Sequence, residues 1–280
     1  MKQNLLFPSY FRYIGWVLAV PGLVLGYFFE FENFTFKFLG DGRQSLFFGN
    51  GNYTDELAIT LITIGLFLVC FSANKSEDER SQSIFRKALY RSVFVATVLT
   101  LFLFIVSLVP VAPKGLFILI LYFFLYQPII FVAFFNYFLY FKHNPLKDTP
   151  PLQHKYFHVL GLFILAVCVL IRIIYACINF VNEDFLVAVY YAAAVGLLLL
   201  VFSKERIENA IVNEHRSGAM QLAVYIASII FLIATWVVYG IDYLSYMYFY
   251  PLYLLGIYAV IFQYKLYNDR KQTQDIIALT

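Results

Sequence analysis

The chain has 280 residues, of which 62% are hydrophobic, 20% aromatic and only 13% charged, with a formal net charge of +3. Soluble domains are roughly 45–50% apolar and about 25% charged, so this composition excludes a soluble enzyme, a disordered regulator and a nucleic-acid-binding domain. No polar stretch is long enough to be a soluble catalytic domain carried on a membrane anchor, whereas the apolar residues would furnish about eight bilayer crossings of about 20 residues each.

Apolar windows fall at about 13–31, 57–72, 92–111, 116–141, 157–180, 185–203, 222–241 and 243–264. They predict an all-α fold, a polytopic membrane protein with eight transmembrane helices. No small-residue cleavage site follows the first window, so it is expected to stay as a signal anchor. Between the first two windows, at about 32–54, Phe34, Phe36 and Phe38 alternate with Asn33, Thr35 and Lys37, the period of a strand. Gly40-Asp41-Gly42 supplies a turn and Leu46-Phe47-Phe48 a second run. This predicts an outer hairpin resting on headgroups, on helix ends or on a partner. Asn33-Phe34-Thr35 and Asn52-Tyr53-Thr54 are sequons that matter only in a eukaryotic secretory host. Cys70, Cys168 and Cys177 lie in apolar runs and are read as small buried hydrophobes without disulfides.

Charge orients the helices. With eight spans, the N-tail, the loops at 73–91, 142–155 and 204–216 and the C-tail hold sixteen of the 20 basic residues. That side carries +7 and the opposite side −4, which sum to the net +3. Positive loops stay inside, so both termini are expected in the cytoplasm and the protein in the plasma (inner) membrane.

The sequence resembles itself. Gly65 to Ser72 matches Gly196 to Ser203 at an offset of 131, and Tyr10-Phe11-Arg12-Tyr13-Ile14-Gly15 resembles Tyr156-Phe157-His158-Val159-Leu160-Gly161. Pro128 and Pro251 each follow an aromatic by two residues. This predicts two four-helix repeats, 1–145 (which includes the outer hairpin) and 146–280. Four is even, so the copies are parallel, related by a pseudo-two-fold axis along the membrane normal, and meet in a homodimer-like contact.

Each copy has a charged loop after its second helix. Lys75, Glu77, Asp78 and Glu79 follow Phe71-Ser72, and Arg206 and Glu208 follow Phe202-Ser203. The mixed charges then run on through Arg86, Lys87 and Arg91, or through Glu214, His215 and Arg216, as a short amphipathic cytoplasmic helix. Such a face is either merely solvated or a partner surface. The acidic pair Asp55-Glu56 before the helix, with F-S-x-x-K-x-E-D-E after it, resembles a group of bacterial multi-pass inner-membrane proteins. That resemblance implies a membrane-embedded helical fold and carries no activity. The second copy departs from it, with Glu183-Asp184 about one turn further out and Asn209 in place of the second acid.

Arg172 is the one formal charge well inside a window, about 22 Å from the cytoplasmic end at 1.5 Å per residue. An intramembrane charge turns toward protein or a wet cavity, so Arg172 is expected to pair with Asp55, Glu56, Glu183, Asp184 or Asp242. The pair is either a tie with an outward-snorkelling side chain or part of a site for an anionic ligand. His154 and His158 are spaced i, i+4, with His143 in the same connection, but a third ligand and a His-Glu-x-x-His signature are missing, so no metal and no cofactor are predicted. The expected partners are the lipid bilayer and a cytoplasmic or membrane protein, with no nucleic acid. The reading that follows is a non-enzymatic sensing, coupling or complex subunit using its charged cytoplasmic loops. The alternative is a small-solute or lipid transporter with a site between the repeats near Arg172. A lipid-modifying enzyme ranks last, since no acid, base or metal groups converge.

Overall fold

The computed structural model describes residues 6–32, 34–36, 53–73, 79–107, 123–140, 152, 155–178, 183–204, 210–238 and 240–279. The described residues form an all-helical protein. Its helices are α1 (Phe11–Glu32), α2 (Thr54–Phe71), α3 (Glu79–Ser107), α4 (Phe123–Tyr140), α5 (Lys155–Ile178), α6 (Glu183–Phe202), α7 (Ala210–Val237) and α8 (Gly240–Leu279). Six of them, α1, α2, α3, α5, α6 and α7, contain stretches long and apolar enough to cross a membrane, and the chain is an integral, multi-pass membrane protein. α4 and α8 carry Pro128 and Pro251 within them. Of the predicted outer hairpin, residues 34–36 are irregular and not strand, and residues 37–52 lie outside the described residues.

Two elements differ from expectation. The charged stretches after the second and sixth helices do not form separate short helices. Residues 79–91 are the opening turns of α3, and residues 210–216 those of α7. A helix already nucleated adds each further residue at little cost, so one continuous rod replaces a kinked pair. α8 is 40 residues long, about 60 Å at 1.5 Å per residue, which is roughly twice the hydrocarbon core of a bilayer.

The helices pack as hairpins of neighbours, α1 on α2, α3 on α4, α5 on α6 and α7 on α8. α2 then packs on α4, and α6 on α8. The two groups meet through α3 against α7, α2 against α7, α3 against α6 and α4 against α8. Small residues let backbones approach where hydrocarbon offers no hydrophobic drive. A Cβ on Gly15 would lie 2.6 Å from the Gly65 carbonyl oxygen, and one on Gly65 would lie 2.5 Å from the Ala19 nitrogen. A Cβ on Gly161 would lie 2.7 Å from the Gly196 carbonyl oxygen. The outer faces of α1 and α5 are studded with exposed Val17, Val20, Leu23, Phe163, Val169 and Ile173, as lipid contact requires.

One continuous core runs across the middle. It includes Phe71, Phe85, Leu89, Val93 and Phe131 from the first half and Phe202, Met220, Phe231, Leu254 and Tyr258 from the second. Cys70 and Cys168 are buried as free thiols, but Cys177 is exposed on α5, contrary to its sequence reading. Most of α5 is apolar, so composition alone does not say which side of it meets protein.

Candidate functional site

Two polar regions lie at opposite ends of the bundle. At the first, the opening turn of α2 places Thr54, Asp55 and Glu56 side by side, all buried. Acidic residues in a first helical turn complement the partial positive charge of the exposed N–H groups, which explains why this helix starts here. The Phe36 N–H donates to Thr54 Oγ1 at 2.9 Å and ties the incoming chain to that turn. Glu56 is 3% exposed, and its Oε2 has no hydrogen-bond partner among the described residues. Nearby, the Trp236 ring stacks on Tyr53 and its Nε1–H donates to Thr60 Oγ1 at 2.9 Å, joining α7 to α2.

Arg172 lies apart from this acidic turn. It is exposed on the outer helix α5 and forms no ion pair with Asp55 or Glu56. Glu183 and Asp184 begin α6 and Asp242 lies in the first turn of α8, but their side chains are outside the described residues. In the offset that aligns Gly15 with Gly161, Arg172 stands where Gly26 stands on α1, a position that faces Ala58 of α2. A Cβ on Gly26 would make only an ordinary contact with Ala58, at 3.9 Å, and α5 packs on α6 less closely than α1 on α2.

At the other, basic end, the exits of α2 and α6 are both built from Ser after Phe. Ser72 Oγ donates to the Leu68 carbonyl, and Ser203 Oγ donates to the Leu200 carbonyl at 2.9 Å. Each exit is also held by the chain entering the hairpin. Phe7 forms a parallel bridge with Ser72 and Leu152 with Ser203. The Phe7 N–H donates to the Phe71 carbonyl at 2.9 Å, and the Leu152 N–H donates to the Phe202 carbonyl at 3.1 Å. Arg12 donates to the Ser72 carbonyl at 3.3 Å, while His158 Nδ1 sits 3.3 Å from Ser203 Oγ. Lys75, Glu77, Asp78, Arg206 and Glu208 lie outside the described residues, as do His143 and His154. Glu79 is the first residue of α3.

Sequence reasoning missed the most deeply seated cation. Arg216 is 4% exposed. It donates to the Ser203 carbonyl at 3.4 Å and to Asn213 Oδ1 at 3.1 Å, and its guanidinium lies over the Phe262 ring at 5.7 Å. At the offset of 131 its counterpart is Phe85, also buried, and that register was the available signal for burial. Around it, Arg86 of α3 faces Glu214 of α7 at 3.7 Å, and His215 Nε2 meets Asp269 Oδ2 of α8 at 2.6 Å. The first pair is largely solvated, worth about 1 kcal/mol at most, so these contacts fix geometry more than they add stability.

Between the halves, a space of about 30 Å³ is lined by Thr63, Cys70, Gln127, Ser228 and Tyr250 among others. That is room enough for a water molecule. No group of three or more His, Cys, Asp or Glu side chains able to hold a metal occurs among the described residues. No protein-family model, curated protein or solved structure matches this chain.

Proposed function

We propose that the protein is a non-enzymatic membrane component that senses or couples, built as two parallel four-helix repeats with eight crossings and both termini in the cytoplasm. The repeat reading draws support from matched contacts. Tyr225 of α7 packs edge-on against Phe71 of α2, and their counterparts at the offset of 131, Phe94 of α3 and Phe202 of α6, pack in the same manner, at 4.5 and 4.9 Å between ring centres. In the two glycine pairs and the two parallel bridges, Gly65 and Gly196, and Ser72 and Ser203, differ by 131, while their partners Gly15 and Gly161, and Phe7 and Leu152, differ by 146 and 145.

The functional reading rests on one contrast. The exits of α2 and α6, which precede the two charged stretches, are pinned by backbone bridges and by Arg12 or Arg216, while the space lined by Thr63, Cys70, Gln127, Ser228 and Tyr250 is only about 30 Å³. These exits stand directly before the stretches that hold Lys75, Glu77, Asp78 and Glu79, and Arg206 and Glu208, the proposed surface for a protein partner. The alternative, a transporter with a site near Arg172, draws less support, because Arg172 is exposed on α5.

Cross-linking in native membranes followed by affinity capture tests the reading. A protein partner recovered in near-stoichiometric amount, and lost from a Lys75→Glu, Arg206→Glu double variant, supports it. Its reproducible absence from the native chain contradicts it.

A further inference from the structure

An apolar groove of about 640 Å³ opens on the membrane-facing side of the second half, between α6, α7 and α8. Its walls include Leu197, Ile226, Ile230, Ile257 and Val260, and Gly256 lies on its floor. A Cβ added at Gly256 would meet nothing within 4 Å. This glycine therefore serves no close helix approach, unlike Gly65, and its missing side chain is part of the groove's volume.

The dimensions fit one hydrocarbon chain of one leaflet. Along α8 the lining runs from Tyr250 to Ile261, about 16 Å at 1.5 Å per residue. Half of a hydrocarbon core is about 15 Å. The volume lies within the roughly 300–1,000 Å³ of small-molecule pockets. In a bilayer such a groove is filled by lipid, and what holds one chain longer than its neighbours is close packing.

A cation lies beyond one end of the groove. Lys265 follows Ile261 by four residues and so continues the lining face of α8 toward the basic end. Its Nζ lies 3.1 Å from where a Gly218 Cβ would be, which puts the ammonium against α7. Gly218 precedes Ile226 by eight residues, about 12 Å along α7. The neighbouring carboxylate, Glu214, interacts electrostatically with this ammonium and also faces Arg86 at 3.7 Å. Basic groups between helices at the membrane surface attract anionic headgroups.

We infer that the α6–α7–α8 groove is a binding site for one anionic phospholipid of the leaflet at the basic end, its acyl chain lying over Gly256 and its phosphate meeting Lys265. Native mass spectrometry of the full chain, in mixed micelles with phosphatidylglycerol or phosphatidylcholine, tests this. The native protein should retain one phosphatidylglycerol in preference to phosphatidylcholine. Gly256→Trp fills the open space and should retain neither. Lys265→Gln should still hold a chain, with the preference for the anionic lipid reduced about fivefold, the scale of one interfacial lysine. Circular dichroism verifies that both variants keep their helix. Equal retention by native protein and Gly256→Trp would overturn the site, and an unchanged preference in Lys265→Gln would overturn the headgroup assignment. A lipid-free dimer that Gly256→Trp converts to monomer would assign the groove to a second copy of this chain and also overturn the proposal.

Discussion

At the scale of single residues, glycines with the same composition signal do different jobs, and their surroundings rank them. A methyl group on Gly65 would press on backbone atoms of α1 at 2.5 and 2.6 Å, which do not yield without moving the helix. On Gly196 the nearest atoms are side-chain carbons of Ile164 and Leu165 at 3.1 Å, which have room to shift. On Gly256 it meets open space. Thermal unfolding in detergent should therefore rank the alanine variants. Gly65→Ala should lose about 1–3 kcal/mol, the usual cost of overpacking, and Gly196→Ala less. Gly256→Ala should gain up to about 1 kcal/mol from helix propensity. Equal losses at all three would remove the close-approach role assigned to Gly65.

At the scale of elements, α3 and α7 form the seam between the halves. Ala88 and Ala96 on α3 and Ala219 and Ala227 on α7 are all 0–2% exposed, and the pairs Ala88/Ala219 and Ala96/Ala227 each differ by 131. Ala219→Leu inserts three carbons where none fit, so it should cost about 1–3 kcal/mol and broaden the size-exclusion peak in detergent. Ile211→Leu, at an exposed position of the same helix, should leave both unchanged. A stable, monodisperse Ala219→Leu protein would mean that the seam is looser than described.

The all-helical character of the described residues could be read from hydropathy because the windows are long and apolar. The facing of each helix could not, because an all-apolar helix carries no stripe to orient it. Arg172 stood out as a charge in an apolar run, yet its outward position depends on how α5 leans on α6. Arg216 looked like one more cation in a charged loop, and its burial arises only when α6, α7 and α8 come together. Continuous α3 and α7 were hidden because their first turns are polar and their later turns apolar, a break that hydropathy reads as an end.

At the scale of the whole molecule, the proposed eight crossings would place both termini and all the basic loops on one side. Substituted-cysteine labelling with a membrane-impermeant maleimide tests this most directly, starting from a chain with Cys70, Cys168 and Cys177 replaced by alanine. Single cysteines at Asn50, Lys114, Asn182 and Tyr239 should label in intact cells. Those at Ser76, Asn144, Glu205 and Gln274 should label only after permeabilisation. Labelling of Asn144 or Gln274 in intact cells would mean that α4 or α8 does not cross, and the parallel four-plus-four arrangement would fall with it.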